Sequence, residues 1–163
     1  MLDYGLFGLV VPPRCGGAWF AAAAAAVGFT AAPGGNIRLP PPDGYTGQVV
    51  TLVRHPVPWT CSLILANDPE AHLESAVMRH AATYGDALMA YNKQTQATTV
   101  LRLESIRPST CEFFEMLGVE RAALTKILHI PPTNVQPYRI VSAAMRAAIL
   151  AAEQELCEAY DYW

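Results

Sequence analysis

Lysine is almost missing from this chain. Of eleven basic residues in 163, only Lys93 and Lys126 are lysine and nine are arginine. With a net charge of -3 and a pI near 5.7, the chain lacks the basic field that draws proteins to nucleic acid, so no nucleic-acid partner is expected. The arginine bias suits planar, two-pronged contacts to anions, and is also what GC-rich coding produces. Cysteine is sparse and scattered, at positions 15, 61, 111 and 157, with no Cys-x-x-Cys and no histidine at ligand spacing. That pattern gives no support to a zinc site or a disulfide framework, so no metal is expected and a reduced, cytoplasmic chain is the default. Charged residues make up only 15% against 52% hydrophobic, which excludes a disordered or solvating protein. Long apolar runs are missing too. The run at 18–27 is too short to span a bilayer, and the Pro-Pro-Arg-Cys-Gly-Gly break before it fits a signal peptide poorly, so no membrane partner is expected.

What is present reads as one α/β domain over 1–163, with no repeat or linker. Two strand-to-helix junctions stand out. Leu6 to Val11 breaks at Pro12 and Pro13 into Arg14, Cys15, Gly16, Gly17, Ala18 and Trp19, and an alanine-rich helix follows to Val27. Val49, Val50, Thr51, Leu52 and Val53 run into Arg54, His55 and Pro56, with Ser62 eight positions after Arg54. An apolar run that ends at an arginine, followed by a helix start, presents a cation and a helix N-terminus to an anion. Two such junctions on one parallel sheet place two positive charges at the same edge, as a doubly anionic ligand requires.

The remaining elements follow from period and punctuation. Residues 31–47 carry Pro33, Gly34, Gly35, Pro40, Pro41, Pro42, Asp43 and Gly44, a surface loop of a length often functional. Pro56 and Pro58 start a helix that Asn67, Asp68 and Pro69 stop. Leu73, Val77, His80, Tyr84, Leu88 and Tyr91 recur at steps of three and four, which predicts one amphipathic helix with His80, Tyr84 and Tyr91 in its packed stripe. Thr98 to Leu103 reads as a third parallel strand. Pro108 to Leu117 reads as a helix closed by Gly118, followed by a short helix over 122–128 and an irregular stretch to Pro137. A last stripe, from Val141 to Tyr160, predicts a C-terminal helix. The four histidines show no partner pattern and are expected to be structural. Trp19 and Trp59 are placed in the core ahead of any stacking on a base.

Taken together these pieces resemble the sulfotransferase family, whose fold is related to the P-loop kinases and whose donor is 3'-phosphoadenosine 5'-phosphosulfate. Pro13, Arg14, Cys15, Gly16, Gly17, Ala18 and Trp19 fit the frame of its phosphate loop. Arg54 with Ser62 is similar to its pair on the donor's 3'-phosphate, in residue type and in spacing. Val100 to Glu104 looks like the family's later strand ending in Tyr-Glu-Asp, and Phe113 to Gly118 like the helix after it.

The resemblance implies a three-layer, P-loop-like fold with a short parallel sheet, and sulfuryl transfer to the hydroxyl or amine of a small-molecule, glycan or peptide acceptor. It implies that Arg14 stabilises charge on the bridging oxygen as the bond breaks. Residues 14–19 would hold the 5'-phosphate, and Arg54 and Ser62 the 3'-phosphate.

Three departures matter. Gly17 and Ala18 stand where the family usually has Ser or Thr, Arg14 replaces the commoner lysine, and no acidic residue lies between Asp3 and Asp43 to act as the acceptor's base. Arg38 stands where some members carry that base, and Asp43 is the only substitute at hand. The chain is also short for the family, which implies an acceptor pocket that is shallow or completed by a second copy of the chain. Two alternatives follow: a non-catalytic descendant that binds a nucleotide or partner, and a P-loop nucleotide kinase. Against the kinase, this chain lacks the Gly-Lys-Ser/Thr ending that would hold magnesium.

Overall fold

The computed structural model describes residues 1–132 and 141–163. Its sheet has four strands, β1 (Leu2–Asp3), β2 (Phe7–Leu9), β3 (Gln48–Val53) and β4 (Thr99–Arg102), in the spatial order β1-β2-β3-β4. The last three run parallel, with Leu9 opposite Val50 and Leu52 opposite Leu101, while β1 pairs antiparallel to β2. The short β1 has no signal in the pattern, since two residues are too few to show a period. β3 is buried along almost its whole length, as expected of a central parallel strand rich in valine and leucine. β4 alternates, with Leu101 buried and Val100 exposed, because it forms the far edge.

Eight α-helices surround the sheet among the described residues. α1 (Gly17–Ala26) connects β2 to β3, and α2 (Pro56–Asn67), α3 (Leu73–Thr83) and α4 (Ala87–Gln94) connect β3 to β4. A single 3-10 turn (Leu103–Ser105) leads into α5 (Ile106–Met116), followed by α6 (Arg121–Leu128), α7 (Ala143–Ala152) and α8 (Gln154–Tyr160). The arrangement is α/β and compatible with three layers. Phe7 on β2 packs edge-on against Phe113 of α5, ring centroids 5.2 Å apart, within a buried group that includes Phe20 and Phe114. A second apolar cluster joins α2, α3 and α7 through Val57, Leu65, Val77, Met145 and Ile149. No helix among the described residues is long and apolar enough to cross a membrane.

The long stripe expected from Leu73 to Tyr91 is two helices rather than one. The chain breaks at Asp86, which takes a left-handed conformation (φ 48°) and donates its N–H to the Ala152 carbonyl at 2.6 Å. Tyr84 and Tyr91, expected in the core, are exposed, since the helix ends at Thr83 and the common stripe is lost at the break. His80 is half-buried, its ring against Trp59 and Tyr84. The C-terminal stripe is likewise divided at Glu153. Of the irregular stretch expected up to Pro137, residues 133–137 lie outside the described residues.

Both breaks meet at one place, where two helix starts cap each other. The Glu153 carboxylate accepts from the Leu88 N–H in the first turn of α4, each oxygen at 3.2 Å, and the Asp86 carboxylate accepts from the Glu155 N–H of α8 at 2.9 Å. Glu153 is 2% exposed. Burial pushes its carboxyl from the usual 4.5 up to about 7, and the nearby Asp86 charge adds to this while the cap hydrogen bonds oppose it. A carboxyl with a raised folded-state value holds a proton that the unfolded chain has already released, so its stabilising contribution is complete below pH 4.5 and is lost as pH rises towards 7. Glu153→Gln should therefore flatten the pH dependence of stability between pH 4.5 and 7.5. Above pH 7 it should unfold with roughly 2–3 kcal/mol more free energy relative to the parent than it does at pH 4.5. Urea unfolding across that range checks it, and parallel curves for the two proteins would contradict it.

Candidate functional site

At the C-terminal edge of β2 and β3 the chain opens into a cleft of about 1390 Å³. Its floor is the turn after β2. Val10 extends the strand pairing through its N–H to the Val50 carbonyl (3.0 Å), and Val11 donates to Ile37 of the long loop (2.9 Å). Pro12 and Pro13 then end the strand, and the Cys15 N–H closes a turn onto the Pro12 carbonyl at 3.3 Å. Arg14 is left-handed (φ 65°) and Gly16 follows suit (φ 87°) as the N-cap of α1.

Three hydrogen bonds fasten this turn to the β3–α2 junction. The Trp59 indole N–H donates to the Pro13 carbonyl at 2.8 Å, an Arg54 Nη1 proton goes to the Arg14 carbonyl at 3.2 Å, and Arg14 Nε donates to Ser62 Oγ at 3.0 Å. Trp59 is 1% exposed and Ser62 9%, so two of the three anchors lie inside the protein.

Arg14, Gly16, Gly17, Ala18, Arg54 and Ser62, expected together from their two junctions, all line this one cleft. Trp19 reaches its wall but is 4% exposed, with its indole N–H directed at the Ile130 carbonyl (3.4 Å), so its bulk belongs to the core. Cys15 does not join them. Its side chain is fully buried, and burial pushes the thiol far above the usual range despite the nearby Arg54 charge, so it remains an inert, protonated core group. Asp43, the substitute base, is exposed and absent from the cleft lining. Arg14 and Ser62, expected at opposite ends of one ligand, bond directly to each other.

Arg107 and Arg146 were missed at the sequence level, and Arg38 was noted there only as standing in the place of a base. Arg38, Arg107 and Arg146 line the cleft, so that among the described residues five arginines face it and Glu104 is its only carboxylate. Glu104 is occupied. It accepts from the His55 backbone N–H at 2.7 Å and from the Tyr162 hydroxyl at 3.0 Å. Burial, then the Glu104 charge, hold the Tyr162 phenol above its usual range, and the Arg102 guanidinium lies 5.2 Å from its ring centre.

His55 caps α2, its Nδ1 accepting from the Val57 N–H at 3.2 Å. Burial lowers its pKa from 6.5 and the Arg146 charge lowers it further, with Glu104 opposing, so the ring is neutral at pH 7. With Nδ1 acting as acceptor, the proton of the neutral ring sits on Nε2. Nε2 is thus a donor.

The signal for the missed arginines lay at the helix starts. α1, α2, α5 and α7 all begin at the cleft, and none carries an acidic residue in its first turn. Arg107 and Arg146 occupy the first turns of α5 and α7, where the helix dipole disfavours a cation.

Comparison with protein-family models, with curated proteins and with solved structures found no match to this chain.

Two left-handed glycines at helix ends, Gly16 before α1 and Gly118 after α5, differ in a testable way. A Cβ on Gly16 would meet Leu103 Cδ1 at 2.5 Å, whereas one on Gly118 (φ 85°) would meet nothing within 4 Å. Gly118→Ala should cost only the backbone term, about 1 kcal/mol. Gly16→Ala should cost more, about 1–3 kcal/mol, because the Leu103 side chain must also give way. Urea denaturation of both checks this, and equal losses would remove the packing argument.

Proposed function

We propose that the cleft binds a nucleotide with phosphates at both ends of its ribose, and that the protein is a small sulfotransferase of P-loop-like fold. The observation that carries this reading is the convergence of Arg14 with Arg54 and Ser62, from two adjacent strand-to-helix turns, in one cleft where α1 and α2 also begin. The first N–H groups of α1, at Gly17 and Ala18, have no partner within the helix and line the cleft, as a 5'-phosphate site requires.

In the reaction, the sulfur–oxygen bond to the 5'-phosphate breaks and a bond from sulfur to the acceptor oxygen or nitrogen forms. The phosphate keeps the electron pair, leaving adenosine 3',5'-bisphosphate, and the acceptor's proton passes to solvent or a base. Arg14 supplies positive charge at the bridging oxygen. To do so its guanidinium turns from Ser62 towards the 5'-phosphate, which frees Ser62 for the 3'-phosphate that Arg54 also holds. A cytoplasmic setting belongs to the same reading, supported by four cysteines that are all unpaired.

One observation favours a non-catalytic nucleotide- or partner-binding protein instead. The cleft's carboxylate is already paired twice and its histidine presents a donor, so neither group stands ready to take the acceptor's proton.

Calorimetric titration with adenosine 3',5'-bisphosphate should show binding that Arg54→Ala weakens about 10- to 100-fold, as loss of a charge-assisted hydrogen bond does. No heat at millimolar nucleotide would reject the reading. Nucleotide binding without sulfuryl transfer to any phenol, sugar or peptide would select the non-catalytic form.

A further inference from the structure

Arg14 and Arg54 answer the two phosphates of the nucleotide, yet three more arginines face the same cleft from separate parts of the chain. Arg38 comes from the long loop, Arg107 from α5 and Arg146 from α7. All three are exposed, and none has a carboxylate within ion-pairing distance among the described residues, where the ion pairs are Lys93 with Glu155 and Arg121 with Glu115. Arg107 donates to the Ile130 carbonyl at 3.0 Å, a neutral partner that leaves its charge uncompensated.

Local stability does not account for this placement. Arg107 and Arg146 stand in first turns, where the dipole repels them, and their charges add to the helix-end field. The chain as a whole is acidic, at -3, so the concentration of positive charge is particular to the cleft. Size points the same way. At about 1390 Å³ the cleft exceeds the roughly 300–1,000 Å³ usual for one small ligand, which leaves space for an acceptor beside the nucleotide.

We infer that Arg38, Arg107 and Arg146 form a second anion subsite, and that the acceptor is a small molecule or sugar carrying an acidic group of its own, a carboxylate, sulfate or phosphate. The inference deepens the nucleotide reading and rests on it for the word acceptor, while the subsite itself can be tested alone. Such an acceptor brings its charge to these three arginines, and its hydroxyl or amine is then held next to the sulfuryl group by the same contacts.

The test uses sucrose octasulfate as the anionic probe and sucrose as its neutral counterpart, titrated into the full chain with and without saturating adenosine 3',5'-bisphosphate. The octasulfate should bind in both cases, and sucrose in neither. The triple variant Arg38→Gln, Arg107→Gln, Arg146→Gln should lose at least about 30-fold in probe affinity and keep its nucleotide affinity within about threefold. Because Arg107 also holds the Ile130 carbonyl, Arg38→Gln alone guards against a folding defect; it should lose about fivefold. Displacement of the nucleotide by the probe, or a triple variant that binds the probe as the parent does, overturns the subsite. Probe binding that depends on the three arginines in a chain that binds no nucleotide leaves the subsite standing and removes the donor reading instead.

Discussion

The site depends on one brace, the set of contacts that ties the turn after β2 to the junction after β3. A turn with two left-handed residues cannot be held by its own backbone, because positive φ at Arg14 is a strained state that the surroundings must enforce. Trp59 supplies much of that enforcement. Its ring is buried with the core and its only polar side-chain atom is committed to the Pro13 carbonyl, so the turn is tied to the buried core. Arg54 and Ser62 then add contacts to the backbone and side chain of Arg14. Bracing groups and cleft-lining groups are thus partly the same, and the Arg14 backbone and the Arg54 side chain are held together.

Electrostatics gives the cleft its character. Carboxylates occur elsewhere, in surface pairs such as Lys93 with Glu155 and in the buried cap that Glu153 makes on α4, while the cleft holds one, already engaged. Four helix starts converge there, none with an acidic residue in its own first turn, and Glu104, at the start of α2, is the one carboxylate that answers them. A cleft of this kind concentrates anions even when the protein's overall charge would repel them.

Much of the fold was legible where a local rule acts alone. β3 followed from an unbroken apolar run, α2 from Pro56 with Pro58, and the end of α5 from Gly118. Errors fell where two distant segments decide an outcome together. The stripe from Leu73 to Tyr91 keeps helical spacing through Tyr84, yet the chain turns at Asp86 because Ala152 and Glu155 are there to receive it, 66 or more positions later. No window on the sequence contains that partner. Cys15 misled for a related reason, since a position within a glycine-rich loop says nothing of the direction its side chain takes.

By itself the sequence determined the strands and the two strand-to-helix junctions, with Arg14 at one and Arg54 at the other, since each junction rests on residues within about ten positions of one another. Only the tertiary structure decided that these arginines share a cleft, that Ser62 meets Arg14 directly, and that Arg38, Arg107 and Arg146 stand beside them. The physical reason is that charge acts through space. A guanidinium's neighbours are chosen by how the helices pack, and spacing along the chain carries no record of that choice for residues nearly a hundred positions apart.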